Sequence, residues 1–329
     1  MANLINYINR YRLPQYNSIE ELFEAIYNQV SKSAPTKWTT LSYSGASIFS
    51  LINNLWGVPK KKQVIYHITG DVNYMALKFG KQSILTVHDV NSALRGSYFK
   101  KQIISWLWFK LPAEQVKFIT VISEFTKEEL TKIIPRHKQK IRVIYNPINP
   151  ALQPALDFRF DASNPKILCI GTKKNKNLER TINAVKGLKV KLIVIGELSE
   201  LQAQILKKNE VNYKNQSQLS FEEVVQVYKN CDMVCFPSLY EGFGMPIIEA
   251  QATGRPVLTS NLGAMKEVAG EAAHFVDPYN EKEIREGIIT IINNRDYRND
   301  LVKKGFQNVK RFHIKKISNQ YVQLYNQML

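Results

Sequence analysis

The chain has 329 residues, a length that fits two domains better than one core. Hydrophobic residues make up 44% and charged residues 22%, which excludes a mostly disordered chain. Lysine and arginine outnumber aspartate and glutamate by 45 to 28, a formal net charge of +17. This excess favours an anionic partner, and composition alone leaves nucleotide phosphates, an acidic membrane surface and nucleic acid open.

Short β-branched runs alternate with helical stretches along the whole chain. The first half has predicted strands at 4–8, 38–43, 63–68, 83–88, 118–122 and 141–145, with a helix opening at Ser123. The second half has them at 166–170, 191–195, 233–236, 256–259 and 274–276. Runs such as ILCI and LIVI are apolar without alternation, as a parallel sheet covered on both faces requires. The pattern predicts βαβ units and an α/β fold of doubly wound parallel sheets.

The segment 146–157, NPINPALQPALD, contains three prolines without periodicity and indicates an interdomain linker. We therefore expect two Rossmann-like domains, residues 1–150 and 151–311, facing across a cleft. Residues 312–329 are predicted to form a terminal helix, which can cross back to the first domain. The first domain carries 20 lysines and arginines against 9 acidic residues, so it is the more basic of the two.

Three cysteines lie in or beside apolar runs, and we expect buried free thiols at Cys169, Cys231 and Cys235. No second Cys/His pair completes a metal site with the last two. No apolar run is long enough for a spanning helix, and the first residues lack the pattern of a secretory signal. These features predict a cytoplasmic protein.

The most informative segment runs from Glu241 to Glu249, EGFGMPIIE, between the strand 233–236 and a helix that Pro246 is placed to open. Ligands of open α/β sheets bind beyond the carboxyl ends of the strands, where this segment lies. Gly242 and Gly244 let the backbone approach a ligand, and the helix start favours an anion. Glu241 can accept hydrogen bonds from sugar hydroxyls, and Glu249 can take both hydroxyls of a ribose. A tight glycine turn with solvated carboxylates is the alternative.

A second loop follows the strand 166–170 and reads GTKKNKN from Gly171 to Asn177. Its three lysines direct positive charge to the same edge of the same sheet, although a solvated basic loop has the same composition. The loop matches neither a dinucleotide-binding glycine fingerprint nor a Walker motif.

Together these segments resemble the retaining nucleotide-sugar glycosyltransferases of family 4, which have the GT-B fold. The segment EGFGMPIIE resembles the E-x7-E signature of that family. The resemblance covers about residues 80 to 295 and includes VISEFTKEEL, IRVIYNPINP, CIGTKKNKNLERTINAV and GRPVLTSNLGAMKEVAGEAAHFVDP.

The resemblance implies that a nucleotide-sugar donor binds mainly to the second domain and a glycan or lipid-linked acceptor mainly to the first. It implies that Lys176 neutralises the donor diphosphate and that Glu249 holds the ribose. Glu241 would hold the transferred sugar and its phosphate together with the backbone amides of Gly242, Phe243, Gly244 and Met245.

Two positions depart from the family pattern. Many members have arginine after the glycine of the phosphate loop, whereas this chain has Thr172 after Gly171, and Lys173 or Lys174 is expected to substitute. The glycine-rich loop that many members carry after their first strand is replaced by RYRLP, from Arg10 onward.

The resemblance also assigns a catalytic role to His88, which would face the donor sugar beside Glu241, whereas a turn cap is the alternative. His67 ends another strand and is expected to be structural or on the acceptor side. The reaction would retain the anomeric configuration, either by front-face attack or through a carboxylate nucleophile. The resemblance implies no divalent metal and no other cofactor, and the chain has no D-x-D run.

Residues 95–111, RGSYFKKQIISWLWFKL, combine basic residues with aromatic ones. Such a helix can lie on anionic lipid, and Lys60, Lys61 and Lys62 add a further basic cluster. We hypothesise peripheral binding to the inner face of the cell membrane, the alternative being a core helix with solvated lysines. A lipid-linked acceptor of bacterial surface polysaccharide or glycolipid synthesis fits this hypothesis.

Three other functions compete with a hexosyltransferase. A sugar-nucleotide epimerase of the same fold would need no acceptor, and a catalytically silent glycosyltransferase-like partner would only bind. The intact set of Glu241, Glu249 and Lys176 argues against the silent partner. Nucleic-acid binding would leave the glutamate loop without a purpose, and we expect no nucleic-acid partner.

Overall fold

The computed structural model describes residues 4–11, 18–45, 47–91, 97–155 and 158–328. The chain forms two compact units. Unit 1 comprises Met1–Pro147 with His313–Leu329, and unit 2 comprises Ile148–Phe312. The terminal segment therefore belongs to the same unit as the first part of the chain.

Unit 1 contains a six-stranded sheet in which every neighbouring pair is parallel, in the order β2-β1-β3-β4-β5-β6. Its strands are β1 (Leu4–Asn9), β2 (Thr36–Thr40), β3 (Val64–Ile68), β4 (Ser83–Val87), β5 (Phe118–Val121) and β6 (Ile141–Val143).

Unit 2 repeats this architecture with a second parallel sheet in the order β12-β11-β10-β7-β8-β9. Its strands are β7 (Lys166–Ile170), β8 (Lys191–Ile195), β9 (Tyr213–Gln216), β10 (Met233–Phe236), β11 (Val257–Ser260) and β12 (His274–Val276). The two six-stranded parallel sheets confirm the predicted α/β class.

Helices connect the strands and cover the faces of both sheets. In unit 1 they include α1 (Ser18–Val30), α2 (Ile48–Gly57), α3 (Ala76–Phe79), α4 (Tyr98–Ile104), α5 (Leu111–Gln115) and α6 (Glu124–Ile133), with a π-helical segment, Ser105–Lys110, between α4 and α5. In unit 2 they include α7 (Leu178–Ala184), α8 (Glu200–Lys208), α9 (Phe221–Asn230), α10 (Met245–Ala252), α11 (Gly263–Ala269), α12 (Glu281–Asn293) and α13 (Arg295–Asn308). The terminal helix is α14 (Ile314–Asn326).

The two faces of the unit 1 sheet are covered by different helices. Residues of α2, α3, α5 and the π-helical segment pack on one face, and α1 and α14 pack on the other. His67, which is fully buried, joins α14 to the sheet, because its Nδ1 lies 2.7 Å from the Tyr325 hydroxyl and its Nε2 lies 2.8 Å from Thr86 Oγ1. His67 therefore has a structural role.

Local sequence signals account for several element boundaries. Ser123 is the N-cap of α6, and its hydroxyl accepts a hydrogen bond from the Thr126 amide, as expected from the sequence. Pro246, predicted to open a helix, is instead its second residue, since α10 begins at Met245. Cys169, Cys231 and Cys235 are buried and free, as predicted.

Strand β9 was not predicted from the sequence. Its four residues, YKNQ, are mostly exposed and lie at the edge of the unit 2 sheet, so they carry no apolar pattern. Among the described residues, no helix is both long enough and apolar enough to cross a membrane.

Candidate functional site

The structure brings Lys176 and Glu241 together at one edge of unit 2. Lys176 lies in the loop that follows β7, and Glu241 lies in the loop that follows the adjacent strand β10. The Lys176 ammonium donates a hydrogen bond to Glu241 Oε1 at 2.7 Å, and Asn175 Nδ2 donates to the same oxygen at 3.2 Å. The ammonium also lies 4.9 Å from the centre of the Phe236 ring. Both partners are partly buried, so this ion pair is better defined than a surface pair.

Gly171 is required for the path of the Lys176 side chain. Its φ is +86°, a conformation that L-residues rarely adopt. A Cβ at this position would lie 2.9 Å from Cγ and 3.0 Å from Cε of Lys176. The absence of a side chain at residue 171 thus lets the lysine cross the backbone and reach Glu241.

Thr172, the first departure from the family pattern, is hydrogen-bonded to residues after β8. Its hydroxyl donates to the Glu197 carbonyl at 2.6 Å, and its carbonyl accepts from Gln202 Nε2 at 2.8 Å. Gly196, at φ +129°, leaves space for it, since a Cβ there would lie 3.1 Å from Thr172 Cγ2. Lys173 is exposed next to it. Thr172 therefore joins this loop to the one after β8.

Asn177 holds the lysine loop in place, a role that its sequence surroundings did not indicate. It has a left-handed conformation, with φ 60° and ψ 32°, at the N-cap of α7. Its buried Nδ2 donates to the carbonyls of Pro237 at 3.0 Å and Pro278 at 2.7 Å. Asparagine is one of the few residues that tolerate this conformation, and here its amide joins loops that follow three strands.

The glycine-containing loop leads directly into α10. Gly244, at φ +101°, is the N-cap, and Met245 is the first helical residue. Phe243 is buried, with its ring centre 5.6 Å from the Phe312 ring centre, so only its backbone is available to a ligand. Gly242 precedes this anchor and is partly exposed. The first amides of a helix lack intrahelical acceptors, so this geometry suits an anion near residues 242–245.

Glu249, the fifth residue of α10, is held by a residue from another helix. The Tyr228 hydroxyl of α9 donates to Glu249 Oε2 at 2.6 Å. Burial, together with the negative charge of Glu249, raises the pKa of Tyr228 well above its ordinary value, so the hydroxyl stays protonated. Tyr228 was missed from the sequence because it lies 21 residues before its partner, within an amphipathic helix.

The end of α9 is fixed by the buried side chain of Arg255. Its Nε donates to the Tyr228 carbonyl at 2.9 Å, and its Nη2 donates to the Lys229 carbonyl at 2.6 Å. A cation at the C-terminus of a helix also interacts favourably with the helix dipole. Arg255 thus stabilises the segment that presents Tyr228 to Glu249.

His88 is the predicted site residue that belongs to unit 1, where it follows β4. Its Nε2 lies 2.7 Å from the Thr69 carbonyl oxygen. Because a carbonyl oxygen can only accept, Nε2 carries a proton and donates this hydrogen bond. Gly70 makes room for the ring, since a Cβ there would lie 3.0 Å from His88 Nε2.

Arg10 stands where the resemblance places a glycine-rich loop, and it forms two ion pairs. Its Nε lies 2.6 Å from Glu20 Oε1, and its Nη1 lies 2.8 Å from Asp71 Oδ2. A cavity of about 280 Å³ beside it is also lined by Trp38 and Tyr27. The neighbouring residues 12–17 lie outside the described part of the chain.

Two family models match consecutive parts of the chain. The model described as Glycosyltransferase Family 4 matches residues 53–152, and the model described as Glycosyl transferases group 1 matches residues 157–308. The second match contains the loops of Lys176 and Glu241 and the carboxylate of Glu249.

Comparison with curated proteins gives relatives of the same kind. The chain is 22% identical to the O-antigen chain mannosyltransferase RfbU of Salmonella typhimurium, over 92% of this chain and 93% of that one. It is 26% identical to an uncharacterized glycosyltransferase of Methanocaldococcus jannaschii, over 70% of this chain and 64% of that one.

Solved structures with the same fold confirm the predicted GT-B architecture. HepE of Anabaena, solved in complex with UDP and glucose, has a TM-score of 0.79 at 14% identity and covers 99% of this chain and 100% of its own. Sucrose-phosphate synthase of Thermosynechococcus elongatus has a TM-score of 0.80 at 18% identity and covers 99% of each chain. These likenesses show the fold, and the two consecutive family models show that the chain is a glycosyltransferase of the family 4 type.

Proposed function

We propose that this protein transfers a sugar, with retention of anomeric configuration, from a nucleotide-sugar donor to a glycan or lipid-linked acceptor. The observation that carries the proposal is the placement of Lys176, Glu241 and Glu249 around the start of α10. A relative named as an O-antigen chain mannosyltransferase, and a fold neighbour solved with UDP-glucose, support a hexosyl donor and a role in surface polysaccharide or glycolipid synthesis.

In the proposed donor complex, each charged group has a separate task. Lys176 contacts the diphosphate, together with the first amides of α10, and Glu249 accepts hydrogen bonds from the ribose hydroxyls. Because the Tyr228 hydroxyl already occupies Oε2 of Glu249, this carboxylate keeps a fixed orientation. Glu241 contacts the transferred sugar while it remains close to Lys176.

The proposed reaction breaks the bond between the anomeric carbon and the phosphate oxygen, and the electron pair passes to the diphosphate. Lys176 and the helix amides stabilise the negative charge that develops there. The acceptor oxygen then bonds to the anomeric carbon. In front-face attack its proton passes to the leaving phosphate, whereas with a carboxylate nucleophile a glycosyl ester forms first.

On the acceptor side, we propose that unit 1 binds the hydroxyls of the acceptor and that His88 is a catalytic residue whose Nδ1 contacts the substrate. The cavity beside Arg10 has carboxylates and aromatic rings, the groups that suit a carbohydrate. Because Lys176 supplies the positive charge at the leaving group, we propose that the reaction needs no divalent metal.

The first experiment is a thermal-shift screen with UDP, GDP, dTDP, ADP and CMP in EDTA. A nucleotide at a hundredfold over its dissociation constant adds about 2.7 kcal/mol to the free energy of unfolding. We expect a shift with one nucleotide, and its loss in Lys176→Ala and Glu249→Ala. The matched control is Lys166→Ala, an exposed lysine at the opposite end of β7, which should respond as wild type does.

The second experiment identifies the product. The protein is incubated with the sugar nucleotide selected by the screen, with and without a glycan acceptor, and the anomeric configuration of the product is read by NMR. Retention of configuration in an acceptor-dependent product supports the proposal. Nucleotide binding without transfer to any acceptor would favour a silent partner, and epimerised donor without acceptor would favour an epimerase.

A further inference from the structure

Helix α2 is apolar on its outer side as well as on its inner side. Its ten residues, IFSLINNLWG, include no charged residue. Leu51 and Leu55 pack against the unit 1 core. The opposite side exposes Phe49 and Ile52, together with Trp56, which is 82% exposed. Large apolar side chains that are exposed together on one side of a helix mark a surface that binds a partner.

A second element of unit 1 shows the same feature. In α4 and the π-helical segment that follows it, Ile104 and Phe109 face the core. Phe99, 78% exposed, and Ile103 and Trp106 face outward. Within the predicted segment 95–111, Arg95 and the side chain of Lys100 lie outside the described residues.

The two elements are joined on one face of unit 1 by residues between them. Asn54 of α2 donates to the Tyr74 hydroxyl at 2.9 Å, and the Tyr74 ring lies 6.0 Å from the Trp108 ring. Asn73 also donates to the Trp108 carbonyl at 2.8 Å. We call this combined outer face the apolar surface; its exposed residues are Ile48, Phe49, Ile52, Trp56, Leu77, Phe99, Ile103, Trp106 and Leu107.

The part of the sequence that contains the apolar surface is mostly positive in charge. Between Ala25 and Ala113 the acidic residues are Asp71 and Asp89, against eleven lysines and arginines. Lys60, Lys61 and Lys62 lie just after α2 and are exposed, and we call these three residues the lysine fringe. Asp71 shares Arg10 with Glu20, and the two aspartates are too few to cancel the positive charge of the eleven basic residues.

We propose that the apolar surface binds an anionic lipid leaflet, with α2 and the α4–π segment lying in the headgroup region. Exposed aromatic and aliphatic residues enter the interface, and the lysine fringe contacts anionic headgroups. A second copy of this chain is the less suitable occupant, because an isologous dimer would bring the two lysine fringes against each other. The sequence hypothesis rested on residues 95–111 and the lysines, whereas the structure adds α2 as an equal part of the surface.

The test uses the full chain and flotation with vesicles of phosphatidylglycerol and phosphatidylcholine, or of phosphatidylcholine alone. We expect binding to the anionic vesicles, weakened by salt, and little binding to neutral ones. Changing Lys60, Lys61 and Lys62 together to Gln should weaken binding about a hundredfold, at roughly fivefold per lysine. The control changes Lys207 and Lys208 of α8 to Gln, which should leave binding unchanged.

The apolar part is tested with Trp56→Ser and Phe99→Ser, each expected to weaken binding at least about tenfold. Leu201→Ser, which alters an exposed leucine of unit 2, is the matched control. Circular dichroism verifies folding, and an unchanged nucleotide thermal shift keeps this result separate from the proposed function. Unchanged flotation of both serine variants, or absent wild-type binding, would overturn the proposal. Sedimentation velocity that shows a dimer for the wild type and a monomer for Trp56→Ser would also overturn it.

Discussion

Gly171→Ala offers a test of the lysine loop that leaves every charge in place. The φ of +86° at this residue costs an alanine about 1–2 kcal/mol of unfolding free energy. In addition, the new Cβ would lie 2.9 Å from Lys176 Cγ. Because Cγ is near the start of the side chain, rotating the ammonium end cannot relieve this contact. Lys176 must therefore leave its present path to Glu241.

A matched control separates the two effects of this substitution. Gly187 also has positive φ, at +71°, but nothing lies within 4 Å of the Cβ position there. Gly187→Ala should thus carry the backbone cost without moving Lys176. If Lys176 contacts the diphosphate, its displacement removes about 1.5–3 kcal/mol of the nucleotide's binding free energy. The affinity for the nucleotide would then be about 10- to 100-fold lower.

The assay is isothermal titration with the nucleotide selected by the thermal-shift screen, alongside urea unfolding of each variant. Both alanine variants should lose unfolding free energy, Gly171→Ala by more because it also separates Lys176 from Glu241, and only Gly171→Ala should lose nucleotide affinity. In a Lys176→Ala background, Gly171→Ala should cause no further loss of affinity. Wild-type affinity in Gly171→Ala would refute the assignment of Lys176 to the diphosphate or its dependence on Gly171.

Three further predictions concern residues that hold the site or the core. Tyr228→Phe, which removes the hydrogen bond to Glu249, should raise the nucleotide dissociation constant about tenfold in titration calorimetry, and an unchanged value would contradict the role of Glu249. Asn177→Ala should lower the free energy of unfolding in urea by about 2–4 kcal/mol, because two buried carbonyls lose their donor and alanine is strained at positive φ; a loss below about 1 kcal/mol would contradict this. Burial lowers the pKa of His67 to about 3 in the folded protein, from 6.5 in the unfolded chain. The unfolded state therefore binds the extra proton between these values, and stability should fall by about 1.4 kcal/mol per pH unit as the pH drops from 6.5 towards 3. His67→Gln should lack this part of the slope, and equal slopes in both proteins would contradict it.

Much of the fold could be predicted because the signals are local. The buried strands β7, β8 and β10 have the predicted bounds, since an apolar run between turns marks both ends of a strand. Strand β9 has no such run, because it lies at the sheet edge and is mostly exposed. Its place is decided by pairing with β8, a contact that its own four residues do not encode.

The candidate site divides in the same way between local and distant information. The spacing from Glu241 to Glu249 and the glycines between them are visible in one segment, and so is the lysine loop. The donor that fixes Glu249 comes from Tyr228 in α9, and the acceptors that fix Asn177 are the carbonyls of Pro237 and Pro278. Nothing in the sequence near any of these residues indicates its partner, so these contacts become visible only in the folded structure.

These contacts between distant segments fix the positions of the charged groups at the site. Lys176 and Glu241 compensate each other at 2.7 Å, and a buried tyrosine orients Glu249. Each charged group thus has a partner from a different segment, so none bears the full desolvation cost of an isolated charge. A diphosphate that contacts Lys176 would meet an ammonium already held in position, and little rearrangement would be needed when negative charge develops on the leaving group. The same contacts therefore serve stability and binding. Lys176 and Glu249, the side chains that would contact a ligand, are already held in position by Glu241 and Tyr228.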